Sequence, residues 1–327
     1  MDSISRNWQA PSFLDINWQA LSWSPWVAFD ADIPTFKQIP PEPGLYRIRP
    51  LGEDFLMYIG QTGRTLRQRL NELRHNVKKE EMPFNDPHTA APSLWAWHDA
   101  DGFHYECSAA PLVCSKQDRM ACECYLLWQY RLEYGSSTLC NFGRFHPDYT
   151  KSRGRSSGIR GSRLPAGRGE VGRGENPEKN PAGGPSCPPL QQQGTPGNPD
   201  WMGMRWSERL HLVSSALADV PDSSGLYLLF DPASGENGDT GNTGVILYIG
   251  ESSKCKTRLE AHARAHRDQP GILFSYNMLK GEVLPHNRKE LENDLIGCYY
   301  REQGRAPEMQ FGVLVGSTFR SSNDVSG

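Results

Sequence analysis

The sequence predicts an α+β fold laid down twice in one chain, and three observations point to it. A segment reading GLYRIRPLGEDFLMYIG at residues 44–60 returns at residues 225–250 as GLYLLFDPASGENGDTGNTGVILYIG. Each copy leads into apolar residues at helical spacing, then a third apolar run and a long second helix. Between the copies lies a stretch rich in Gly, Pro, Ser and Arg, with few residues able to build a core. A chain of 327 residues is long enough for two domains. Boundaries are expected at 1–143, 144–204 and 205–327, the middle segment being a flexible linker.

The elements follow in order. Leu45 to Ile48 and Leu226 to Phe230 read as strands, each preceded by a proline (Pro40, Pro221) and, further upstream, by a Trp-Ser pair (Trp23-Ser24, Trp206-Ser207). Both turn into a second strand, ending Tyr58-Ile59-Gly60 and Tyr248-Ile249-Gly250. The longer second turn, with ASGENGDTGNTG, is turn chemistry with nothing to bury. Leu66, Leu70, Leu73 and Val77 then form a helical stripe with Arg69 on its flank; in the second copy Arg258 lies between Cys255 and Leu259, with His262 one turn on. FHYECSAA and ILFSYNML read as third strands, and SKQDRMACECYLLWQYRLEYG and NRKELENDLIGCYYREQG as the last helices.

Those last helices carry the sharpest signal. Glu123 shares a face with Met120, Leu127 and Tyr130, and Glu292 with Leu295, Ile296 and Tyr299. A carboxylate on an apolar face is costly unless neutralised. It is either an ion-pair partner of Arg69 or Arg258 inside the fold, or a metal ligand facing a phosphate. Eighteen residues after each glutamate comes an amide, Asn141-Phe142-Gly143 and Gln310-Phe311-Gly312, a register that indicates internal duplication.

The formal net charge of −3 announces no nucleic-acid binder, but residues 144–173 hold eight basic residues against Asp148 and Glu170. Arg153, Arg155, Arg160 and Arg163 are therefore expected to contact DNA phosphates, the plainer alternative being a solvated linker. No leader-like or membrane-spanning stretch stands out, so a cytoplasmic protein is expected, with no membrane partner and eight reduced cysteines. Cys107, Cys114, Cys122, Cys124 and Cys140, with His104, lack a CxxC pair and are expected as packing residues rather than a zinc site. Trp8, Trp18, Trp23 and Trp26 are expected to pack over the first half rather than stack on bases.

The ordered set resembles the GIY-YIG nuclease superfamily twice over. Its tripeptides correspond to Gly44-Leu45-Tyr46 with Tyr58-Ile59-Gly60, and to Gly225-Leu226-Tyr227 with Tyr248-Ile249-Gly250. Its arginine, glutamate and late amide correspond to Arg69, Glu123 and Asn141, and to Arg258, Glu292 and Gln310. The resemblance implies two small mixed sheets flanked by helices, and phosphodiester hydrolysis in DNA with one Mg²⁺ or Mn²⁺ per site. It casts Tyr46 and Tyr227 as general bases, Tyr58 and Tyr248 as positioning groups, Arg69 and Arg258 as phosphate binders, and Glu123 and Glu292 as metal ligands. Many members carry a histidine one turn after the arginine; here that is His262, against Leu73 in the first half. The first half has one extra residue before its arginine, leaving Arg67 as a fallback, and Gln310 in place of asparagine is expected to slow the second site. A DNA endonuclease of the restriction or phage-defence kind follows, its two sites in one chain requiring no oligomer for double-strand cleavage. The alternatives are a structure-specific repair or recombination nuclease, and a DNA-binding protein in which one or both folds have lost the chemistry.

Overall fold

A computed structural model describes residues 11–85, 90–165, 184–231, 245–269, 271–281 and 283–312. The first half runs β1 (Val27–Ala28), α1 (Ile33–Phe36), β2 (Gly44–Pro50), β3 (Tyr58–Thr62), α2 (Leu66–Val77), α3 (Ala90–Asp101), β4 (Tyr105–Pro111) and α4 (Lys116–Tyr134). The second runs β5 (Leu210–His211), α5 (Ser214–Leu217), β6 (Gly225–Phe230), β7 (Ile246–Ser252), α6 (Cys255–Ala265), β8 (Leu273–Met278) and α7 (Pro285–Gln303).

The two four-stranded sheets share one order, β1-β4-β2-β3 and β5-β8-β6-β7. Every pairing is antiparallel, which corrects the expected mixed sheet. β3 and β4 do run the same way, but β2 lies between them, so no parallel ladder forms.

Strand alternation splits each core in two. From β2, Tyr46 and Ile48 pack with α2 and α3, while Leu45 packs with Trp18, Trp23 and α4. From β6, Tyr227 and Leu229 pack with α6, while Leu226, Leu228 and Phe230 pack with Trp201, Trp206 and α7. Trp18 and Trp23 of the opening segment are thus buried and Trp26 half-buried, closing over the buried Arg47 guanidinium, 4.3 Å from the Trp23 ring and 4.8 Å from that of Trp26. Arg47 also donates to the Asp15 carbonyl at 2.8 Å, and burial, with Arg49 nearby, lowers its pKa to about 9. Trp8 lies outside the described residues.

The structural repeat extends further upstream than the motifs. Trp23 Nε1 donates to the Trp18 carbonyl at 3.0 Å, and Trp206 Nε1 to that of Trp201 at 3.1 Å. Ser24 Oγ accepts from the Ala109 N–H while its carbonyl accepts from Ser108 Oγ; Ser207 repeats both bonds with Tyr276 and Ser275.

The halves meet along α4 and α7. A Cβ at Gly297 would stand 2.8 Å from the Cys124 carbonyl, so glycine is what lets the helices approach, and Asn293 Nδ2 donates to that same carbonyl at 3.1 Å. Beside this contact Arg131 is fully buried, its Nε 2.9 Å from Asp294 Oδ1 and its Nη1 3.2 Å from Glu290 Oε2.

The segment expected as a flexible linker packs in both of its described parts. Ser186 Oγ and the Cys187 N–H donate to Glu290, the Leu190 N–H donates to Asp294, and Arg144 lies 3.4 Å from Glu290. Tyr149 and Trp201 are buried anchors. Composition alone hid this, because a few aromatic and ionic anchors suffice to dock an otherwise polar strap. Residues 166–183 lie outside the described residues.

Candidate active site

In each half the motif glycine makes room for two tyrosines. A Cβ at Gly60 would lie 2.5 Å from Tyr58 Cε1 and 2.7 Å from Tyr46 Oη; at Gly250 it would lie 2.7 Å from Tyr248 Cε1 and 2.4 Å from Tyr227 Oη. The ring centroids stand 5.9 Å apart in the first half and 6.0 Å in the second.

Arg69 and Arg258 are each the fourth residue of their helix, α2 and α6. The extra residue of the first half is absorbed in the loop before α2, and Arg69 faces the tyrosines, its Nε donating to Tyr46 Oη at 3.2 Å. Burial alone would lower the Arg69 pKa, but Tyr46 and Tyr58 outweigh it and the net shift is upward. Arg67 is no substitute: it donates to the Ile39 and Lys37 carbonyls, pinning the loop ahead of β2.

The second half differs at this point. Tyr227 Oη lies 3.0 Å from His262 Nε2, and His262 occupies the helical position that buried Leu73 holds in α2. Burial, with His266 and Arg258 adding to it, lowers the His262 pKa to about 3, so the ring is neutral. Burial likewise raises Tyr227 and Tyr248, and Arg258 pulls both the other way.

Both glutamates reach one cavity of about 610 Å³ beside the edge strand β3. Its walls include Tyr58, Gln61, Arg69 and Glu123 from the first half, and Lys289, Glu292 and Asn293 from α7. Burial pushes the Glu123 carboxyl up to about 8, with Arg69 opposing. A buried carboxyl this reluctant to ionise suits a bound cation, which would replace its proton. Glu292, 5 % exposed, is near enough to raise both Tyr227 and Tyr248. Among the described residues no three His, Cys, Asp or Glu side chains gather around one point, so a metal here would rest on one glutamate per half, with water or substrate completing its shell.

The late amides serve the backbone. Asn141 Oδ1 accepts from the Ile59 N–H at 3.0 Å while its Nδ2 donates to the Ile59 carbonyl at 2.8 Å; Gln310 holds Ile249 in the same way, both bonds at 3.0 Å. Each amide completes the open side of its edge strand at the centre of the YIG motif. The extra methylene of Gln310 leaves that clamp intact, so it supplies no reason for a slower second site. Phe142 and Phe311, next in sequence, both adopt positive φ, 58° and 63°, to aim the amide inward.

The arginines expected to bind DNA divide. Arg153 lines the cavity. Arg160 donates to the Met82 carbonyl, pairs with Glu81 at 3.1 Å and stacks 4.2 Å from Phe84. Arg155 lies 6.0 Å from the Phe84 ring and Arg163 5.7 Å from that of Tyr149.

A further duplicated pair escaped the sequence reading. Arg119 Nε donates to Gln61 and its Nη1 to the Cys114 carbonyl; Arg288 does the same with Glu251 and the Val283 carbonyl. Carrying the Glu123 to Glu292 register along the helices would have exposed it, since Arg119 and Arg288 share that spacing and Gln61 and Glu251 each follow YIG directly. No family model and no curated protein matches the chain.

Proposed function

We propose that the protein is a divalent-metal-dependent endonuclease hydrolysing phosphodiester bonds in DNA, with one reaction centre in each half, of the restriction or phage-defence kind. The observation that carries this is the gathering, in the first half, of Tyr58, Arg69 and Glu123 around one cavity with Arg69 bonded to Tyr46, from four separate elements. In-line attack at phosphorus needs a proton acceptor for water, a cation for the phosphate and relief of charge on the leaving group. Arg69 donates to Tyr46 Oη, the oxygen proposed to accept the proton, and sets its guanidinium on the wall of the cavity where a phosphate oxygen would bind. A divalent cation held by Glu123, or by Glu292 in the second centre, supplies charge stabilisation at the phosphoryl and leaving oxygens when bound. In the second centre Tyr227 faces His262, whose weak basicity makes it a poor relay at neutral pH. That pair favours a second reading in which only the first half cuts and the second is a binding scaffold.

Incubation with supercoiled plasmid and Mg²⁺ or Mn²⁺ tests both. Two working centres are expected to give linear product, with Glu123→Gln and Glu292→Gln each reducing it to nicked circles. Nicking that survives Glu292→Gln unchanged, with no linear product from the wild type, would select the scaffold reading. Binding without cleavage in either metal would overturn the nuclease proposal.

A further inference from the structure

Five cationic side chains line the cavity, Arg69, Arg144, Lys151, Arg153 and Lys289, against two carboxylates, Glu123 and Glu292. Arg144 is committed to Glu290 and Arg69 to Tyr46. Among the described residues the other three have no carboxylate partner: Lys151 turns its ammonium to the Gly143 carbonyl, and the side chains of Arg153 and Lys289 make no hydrogen bond or ion pair. Lys151 is exposed as a residue, yet burial of its ammonium, with Lys289 close by, lowers its pKa to about 8. Like charges brought together from two distant stretches of chain repel unless an anion settles between them. The arrangement is also unduplicated, for the α4 residue in register with Lys289 is Met120, itself on the cavity wall.

We infer that Lys151, Arg153 and Lys289 form a second phosphate subsite in the cavity that Glu123 and Glu292 share, taking a backbone phosphate near the one held by Arg69. This rests on the nuclease proposal for the identity of the polyanion. Its consequence is that α7, an element of the second half, supplies a substrate contact to the first centre, so the first half binds DNA fully only with its neighbour in place.

The test is equilibrium binding of the whole chain to a short fluorescent DNA duplex with Ca²⁺ in place of Mg²⁺, over a series of salt concentrations. Lys289→Ala should weaken binding roughly tenfold at low salt and reduce the slope of log K against log salt by about 0.9, the value of one lost phosphate contact. Lys151→Ala with Arg153→Ala should reduce it about twice as far, and Lys289→Arg should restore both affinity and slope. That rescue keeps the test decisive even where an alanine variant folds poorly. Unchanged slopes in variants of a wild type that binds and cuts DNA would overturn the subsite and leave the nuclease proposal standing. The expected slope changes in a chain that binds but never cuts would do the reverse, and a wild type that does not bind DNA would overturn both.

Discussion

Glu123 ties stability to pH and to cations. Its carboxyl, raised from 4.5 to about 8, keeps its proton in the folded protein over a range where the unfolded chain has lost it. The folded state binds more protons there, so stability falls as pH rises from about 4.5 to about 8, by roughly 1.4 kcal/mol for each unit of raised pKa. Glu123→Gln should flatten that limb in urea titrations, and Mg²⁺ should raise the melting temperature of the wild type more at pH 8.5 than at pH 6.5, and by more than it raises that of the variant, which keeps Glu292. His262 has the opposite sign: with its pKa lowered from 6.5 to about 3, its contribution is complete above pH 6.5 and lost as pH falls towards 3. His262→Gln should therefore soften acid denaturation. If both halves cut, this weakly basic partner makes the second centre the slower one, and nicked plasmid should accumulate before linear product. Gln310→Asn should lengthen no part of the reaction except through a looser grip on Ile249. Asn141→Ala and Gln310→Ala, each stranding a buried backbone N–H and carbonyl, should each cost about 2 to 4 kcal/mol of stability by denaturant titration.

Among elements, the hairpins were the most legible and the helix contacts the least. The ends of β2 fall within two residues of the expected strand, and α4 within one of the expected helix, because Ser115 caps its start and Gly135, at φ 81°, its end. The tyrosines, Arg69 and Glu123 could be read as one site because motif order survives in sequence. α3 escaped notice: residues 90–96 are buried without interruption, so no amphipathic stripe marks the helix. The α4–α7 contact was hidden too, since what enables it is a missing side chain at Gly297 rather than an apolar pattern. Gly60→Ala and Gly250→Ala separate motif from chemistry. Each would drive a methyl group into the tyrosine rings, and each should abolish the cut assigned to its own half while costing about 1 to 3 kcal/mol, measured by strand-specific plasmid nicking and by thermal melting.

At the scale of the whole molecule, the halves are joined by charge as well as by packing. Arg131, Glu290 and Asp294 are buried together, and removing one leaves another uncompensated. Asp294→Ala should destabilise the chain by about 3 to 5 kcal/mol, and calorimetry should show the two halves melting together in the wild type. Two independent transitions in the wild type would mean the cluster does not couple them. This cluster has no mirror image: in the register of the repeat, Tyr300 stands for Arg131, Ala121 for Glu290 and Tyr125 for Asp294. A homodimer writes every interface residue twice and so meets DNA with a dyad, which obliges its target to be palindromic. Here each partner helix is encoded separately and has diverged. A chain that cuts DNA with such a body is released from that obligation, and sequencing its cleavage ends should reveal a target whose two halves differ.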